Sequence, residues 1–174
     1  VAELFGNKQR FAAEVGELFQ GHEQLRRVDL WAAGRWWTCN DNTAYVPQFC
    51  MSVQGSVNWL RSGCDLTQPF PEVSAAEAHR RLIAMDDGSR EQFWFPLWGP
   101  TTDNVTAHVF RNNDQLLIPF EIWWPARPCS EDRGRVFVAE LPEAELVRVL
   151  EQMLAALECS PDAEQVVAPD RRSD

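Results

Sequence analysis

The side chains best equipped for chemistry in this sequence are three histidines, His22, His79 and His108, and five cysteines, Cys39, Cys50, Cys64, Cys129 and Cys159. A catalytic thiol needs a base within hydrogen-bond reach and a third group to orient that base. Cys39 or Cys50 meets this need only by converging in space with His79 or His108, because no local motif joins them. The histidines do not fall in an HExxH arrangement and the cysteines form no CxxC pair, the spacings that bring several ligands to one metal ion. Asp86 and Asp87 are neighbouring carboxylates, but a run ending in Asp86-Asp87-Gly88 fits a helix terminus better than an acid and base held in divergent environments. No phosphate-binding loop, dinucleotide fingerprint or nucleophile elbow is present. The sequence therefore predicts no catalytic residue, no metal ligand and no cofactor. A small hydrolase or transferase would need a site assembled only in three dimensions.

Recognition is the better-supported chemistry. The chain holds eight tryptophans and a formal charge of −10, a combination of rigid apolar area and negative potential. Trp36/Trp37 and Trp123/Trp124 are adjacent pairs, and neighbours on a strand point to opposite faces, so one member of each pair can enter a core while the other faces a partner. Trp36, Trp37, Asp41, Asn42 and Tyr45 lie in one short segment that mixes aromatic anchors with polar groups at a helix entrance. The alternative for this segment is structural, with Asp41 or Asn42 capping the helix and Tyr45 packed beneath it. A second candidate runs from Glu121 through Trp123 and Trp124 into the proline-containing loop of residues 125–132, which carries Glu131 and Asp132.

Charge narrows the partner. Residues 131–174 carry eleven acidic side chains against five arginines, the opposite of the basic footprint that nucleic acids or anionic membranes require. A basic protein is the expected partner, steered in by the field. Five widely spaced cysteines, odd in number, fit reduced thiols better than a disulfide framework. With no secretory signal visible and no apolar run of bilayer length, these features set the expectation of a cytoplasmic location.

The elements that must position these residues follow from periodicity. Residues 9–19 read as a strand. Residues 26–31 read as another, with Val28 and Leu30 on one face and Asp29 and Trp31 on the other. Ala33-Gly34 turns the chain into a hairpin with residues 35–38. Phe49, Val53, Val57 and Leu60 recur at helical spacing, with Pro47 in the first turn and Gly63 beyond the last. Ser74 and Glu77 form a capping-box pattern ahead of the stripe Ala78, Leu82 and Met85. Strands are expected over 92–98, 105–111, 116–124 and 135–141, with a hairpin at residues 112–115 and irregularity near Pro96 and Pro119. Residues 142–158 form an amphipathic helix with Leu146, Leu150, Met153, Leu154 and Leu157 on its apolar stripe. The expected architecture is α+β, a mainly antiparallel sheet with about three helices and the C-terminal helix packed on one sheet face. One domain over residues 1–160 and a polar tail over 161–174 are expected.

The run Leu4-Phe5-Gly6-Asn7-Lys8-Gln9-Arg10-Phe11-Ala12-Ala13-Glu14, followed by Leu30-Trp31-Ala32-Ala33-Gly34-Arg35-Trp36 and Asp41-Asn42, resembles bacterial immunity proteins that accompany polymorphic or contact-dependent growth-inhibition toxins. The resemblance covers roughly residues 4–60. It implies a small cytoplasmic protein that binds the toxic domain of its cognate effector, often a nuclease with a basic surface, and blocks its active site or substrate approach. The competing expectation is a noncatalytic cytoplasmic adaptor for another basic protein.

Overall fold

The computed structural model describes residues 2–123, 132 and 134–157, and among them the chain forms nine strands, three α-helices and two 3₁₀ turns. The first sheet contains β1 (Glu3–Asn7), β2 (Phe11–Leu18), β3 (Leu25–Ala32), β4 (Arg35–Trp36) and β5 (Thr43–Tyr45), all antiparallel. β3 is its pivot, pairing with β2 along one edge while β4 and β5 share the other. The alternation read from the sequence holds: Val28, Leu30 and Ala32 are buried in the core with Phe11, Ala13 and Val15 of β2. β1 escapes sequence reading because it is a short edge strand, mostly exposed and interrupted by Gly6, so it lacks an apolar alternation.

The Ala33-Gly34 loop joins β3 to β4 with both residues at positive φ, 48° and 73°. That pair of left-handed residues is the geometry in which a two-residue hairpin matches strand twist.

The second sheet is built on β8 (Gln115–Ile122), flanked on one side by β9 (Phe137–Pro142) and on the other by β6 (Val105–Ala107) and β7 (Phe110–Asn112). A single strand over 105–111 is thus split, and Pro119 supplies the reason. Its carbonyl accepts from the His108 amide at 3.1 Å. In an antiparallel ladder a residue's N–H and C=O point to the same side, so the missing proline N–H falls where β6 gives way to β7. The expected irregularity at Pro119 is therefore present. The strand expected over 92–98 is not: Glu91–Phe93 form a 3₁₀ turn and the following residues make only an isolated bridge, Trp94 to His108. Pro96, which cannot donate a ladder hydrogen bond, lies in that stretch. At residues 112–115 the hairpin is formed, with Asn113 in the left-handed region at φ 55°.

Three helices cover the sheets. α1 (Val46–Arg61) buries Phe49, Val53, Val57 and Leu60, the stripe expected from their spacing, and α2 (Ala75–Ala84) packs on β8. Ser74 caps α2 by accepting from the Glu77 amide, while the Glu77 carboxylate pairs with Arg81 and Arg80 rather than closing the box. α3 (Glu143–Ala156) lies against β1 and β2 of the first sheet and also contacts α1 and β9. Its start is displaced by a residue from expectation, with Pro142 flanking the helix as its N-cap. The fold class is α+β as expected, with the antiparallel pairing divided between two sheets.

Trp37 joins those sheets. It is fully buried and meets Phe11 of the first sheet edge-on at 5.6 Å, Phe120 of the second at 5.1 Å and Phe95 at 6.4 Å. Truncating a buried tryptophan of this kind to alanine costs about 3–5 kcal/mol.

Cys50 is disulfide-bonded, so the reading of the cysteines as reduced thiols does not extend to it. No helix among the described residues is long and apolar enough to cross a membrane. The tail expected at 161–174 lies outside the described residues.

Candidate functional site

The face of the first sheet opposite the core carries charged and aromatic side chains. Register places Ala12 opposite Trp31 and Glu14 opposite Asp29, and places Trp36 beside Trp31. The two indoles stack with centroids 5.8 Å apart and planes 15° from parallel, and Lys8 Nζ lies 4.2 Å from the Trp31 ring. A cation over an indole face is attracted by the ring quadrupole. Both tryptophans are half-buried, so the stack presents area without being consumed by the core.

Asp29 organises this face. It is 8% exposed, and its Oδ1 accepts from Trp36 Nε1 at 3.0 Å and from Asn42 Nδ2 at 2.8 Å. Its Oδ2 pairs with Arg27 at 3.4 Å, and Arg27 and Lys8 both reach Glu14, at 3.5 and 3.0 Å. A buried carboxylate is tolerable only with partners of this kind. Gly16 makes room for the arrangement: a Cβ there would stand 2.6 Å from Arg27 Nε. The network thus fixes the Trp36 indole and the Asn42 side chain in one orientation.

Beside Asn42 the surface opens into a cleft of about 250 Å³ whose rim and walls include Asp41, Thr43, Tyr45, Gln48, Trp98 and Thr101. Asp41 Oδ1 accepts from the Thr43 amide at 2.8 Å, a local turn that stiffens the segment. Tyr45 occupies the N-cap position of α1 with no side-chain cap and is 47% exposed. The capping explanation of this segment is therefore overturned: neither Asp41 nor Asn42 caps α1, and Tyr45 is not packed beneath it.

Of the residues singled out in the sequence, the fold brings Trp36 and Asn42 together on Asp29 and places Asp41 and Tyr45 on the lining of the cleft. Trp37 is removed from the outer face, because strand alternation that turns Trp36 outward turns Trp37 into the core. Trp123 is 42% exposed at the end of the second sheet, its indole N–H donating to Thr106. Asp132 is 6% exposed and paired with Arg35 at 3.2 Å, so it ties the β3–β4 hairpin rather than offering a free charge. Trp124 and Glu131 lie outside the described residues. Trp31 was missed as a site residue, although the alternation of β3 already placed it beside Asp29 on the outer face.

Two of the histidines converge, which no motif signalled. His79 of α2 and His108 at the β6–β7 break are fully buried, with their Nδ1 atoms 2.8 Å apart. One ring must donate and the other accept. Assigning the donor to His108 leaves His79 with its proton on Nε2, directed toward Glu121 Oε1 at 3.6 Å. Both Nε2 atoms lack a hydrogen bond. Burial first, then the neighbouring His108 and Arg80, lower the His79 pKa to about 3; burial and Arg90 lower that of His108 to about 4. Burial raises the Glu121 carboxyl above its ordinary value. The pair is neutral at pH 7 and closed to solvent, so it lacks the cleft that the enzyme reading requires. Among the described residues no group of three or more histidine, cysteine or acidic side chains is placed to hold a metal ion.

No protein-family model matches the chain, and no curated protein matches it. Its fold is similar to the crystal structure of CdiI from Burkholderia dolosa AUO158, with a TM-score of 0.61 and 11% sequence identity over 88% of this chain and 99% of that one. The likeness extends over essentially the whole of that protein, well beyond the segment of residues 4–60. The chain thus shares the fold of that CdiI.

Proposed function

We propose that this chain is an immunity protein that binds a cognate toxin domain in the bacterial cytoplasm and neutralises it by occluding the active site or the surface through which substrate arrives. The observation that carries this reading is the similarity to CdiI across almost that entire protein. The outer face of the first sheet supports it. The Trp31–Trp36 stack is a rigid anchor with little side-chain entropy left to lose, and Asp29, Asn42 and Asp41 surround it with oriented polar groups. The formal charge of −10 favours a basic toxin domain, for which a nuclease is the natural chemistry, since a surface evolved to hold phosphate is also attracted to an acidic protein.

Co-expression with the toxin domain encoded beside this chain tests the reading. The expected result is restored growth and a stoichiometric complex on gel filtration, with association slowed as salt screens the charge. A toxin that neither binds the protein nor loses toxicity in its presence overturns it. Trp36→Ala is expected to weaken the complex by about tenfold or more, a loss of at least 1–2 kcal/mol at an anchor. The isolated variant should remain folded.

A further inference from the structure

The cleft beside Asn42 has three properties that together specify what enters it. Its volume of about 250 Å³ lies below the roughly 300–1,000 Å³ of small-molecule sites, and suits a single side chain. Asp41 lies on its lining with one carboxylate oxygen committed to the Thr43 amide, and the carboxylate forms no ion pair among the described residues. Thr101, also on the lining, is 1% exposed, yet its Oγ1 has no hydrogen-bond partner. An orphaned buried hydroxyl carries an uncompensated desolvation cost, and such a group calls for an explanation. Here a ligand that supplies the missing partner provides one.

Resting on the immunity reading, we infer that this cleft seats the guanidinium of one arginine side chain carried on the bound toxin domain. Asp41 supplies the countercharge, the Thr101 hydroxyl accepts one N–H, and the Gln48 carbonyl oxygen is a further acceptor on the α1 side of the same cleft. The exposed Tyr45 ring offers a face for the cation. A planar guanidinium presents five N–H donors in a fixed fork and stacks on aromatic rings. Lysine offers a strongly hydrated point charge without the planar face. An anionic ligand is disfavoured by Asp41 and by the net charge of −10.

The full chain can be titrated with Nα-acetyl-arginine methylamide and with its neutral isostere Nα-acetyl-citrulline methylamide, following backbone amides by NMR. Saturable shifts at Asp41–Tyr45, Gln48 and Thr101 with the arginine probe alone are expected. Asp41→Asn keeps an oxygen to accept from the Thr43 amide, so the turn survives while the charge is lost, and the probe should bind about tenfold more weakly or worse. Thr101→Val removes the hydroxyl without breaking a bond in the free protein and should also weaken the probe. Equal response to citrulline, absence of shifts at the cleft, or undiminished binding by Asp41→Asn overturns the assignment.

A second arm separates this inference from the reading beneath it. If the toxin domain is captured with unchanged Kd by both variants, the arginine seat is wrong while the immunity function stands. If the arginine probe binds as expected but no adjacent toxin is captured, the seat stands and the immunity function falls.

Discussion

The outer face of the first sheet and the histidine pair under α2 both gather polar side chains on a β-sheet, yet they resolve their charges in opposite ways. Around Asp29 every charged group meets an opposite charge or an oriented donor, and half-exposed tryptophans remain available at the surface. Around His79 and His108 the polar atoms are sealed from water, each ring shares a single bond, and both Nε2 atoms are left unpaired. A charge-paired network at the surface can hold side chains ready for a partner at little cost to stability, even with Arg27 Nε and Trp31 Nε1 left without a hydrogen bond. An under-satisfied one in the core makes stability depend on pH. The difference suits the first region to the recognition proposed above and ties the stability of the second to pH.

The largest expected effect sharpens the second half of that contrast. Both histidines have folded pKa values, about 3 and about 4, below the ordinary 6.5, so below pH 6.5 the unfolded chain takes up protons that the folded chain refuses. Stability is therefore complete above pH 6.5 and lost as pH falls. Between pH 7 and 5 each histidine forfeits about 2 kcal/mol, or about 4 kcal/mol together. Glu121, whose raised pKa lets the folded state bind a proton sooner, partly offsets the loss at the acid end. Urea unfolding at pH 7, 6 and 5 measures this directly. The double variant His79→Leu/His108→Phe removes both partners at once and should flatten the profile; a profile as steep as that of the parent would show that the acid sensitivity arises elsewhere.

The next effect breaks the first half. Asp29→Ala withdraws the acceptor shared by Trp36 and Asn42 and leaves Arg27 with a lost countercharge. A cost of about 3 kcal/mol at neutral pH is expected from removing one member of a buried charged network. Asp29→Asn should cost less, because an amide oxygen can still accept from the indole. If Asp29→Ala unfolds at the same denaturant midpoint as the parent, the network does not hold the aromatic stack, and the contrast between the two regions fails.

The same contrast explains what could be read in the sequence. The outer face was legible because a strand has a period of two: Val28 and Leu30 inward forces Asp29 and Trp31 outward. Helices α1 and α3 were legible from their apolar stripes, and α2 from its Ser74 cap. The position of Trp37 between two sheets was not, since adjacency says that one of Trp36 and Trp37 turns inward but not which. The meeting of His79 and His108 depends on how α2 lies across β8, a tertiary fact with no local period. The strand expected at 92–98 failed because its aromatics satisfy a core from irregular backbone, and aromatic content alone cannot distinguish that from a ladder.

The smallest effect tests whether the surface region is held by its turn as well as by its network. Ala33 adopts φ 48° in the two-residue loop ahead of Trp36, a left-handed conformation that costs an L-residue with an ordinary side chain about 1–2 kcal/mol. Asparagine enters this region more readily and is favoured ahead of glycine in such loops. Ala33→Asn is therefore expected to stabilise the protein by about 1 kcal/mol, visible as a rise in Tm of about 2–4 °C. Because the substitution touches neither Asp29 nor either indole, it should leave the acid sensitivity unchanged. A gain accompanied by a flatter pH profile would mean that the hairpin and the histidine pair are coupled through the core at Trp37, and that the two regions are not the independent solutions their chemistry suggests.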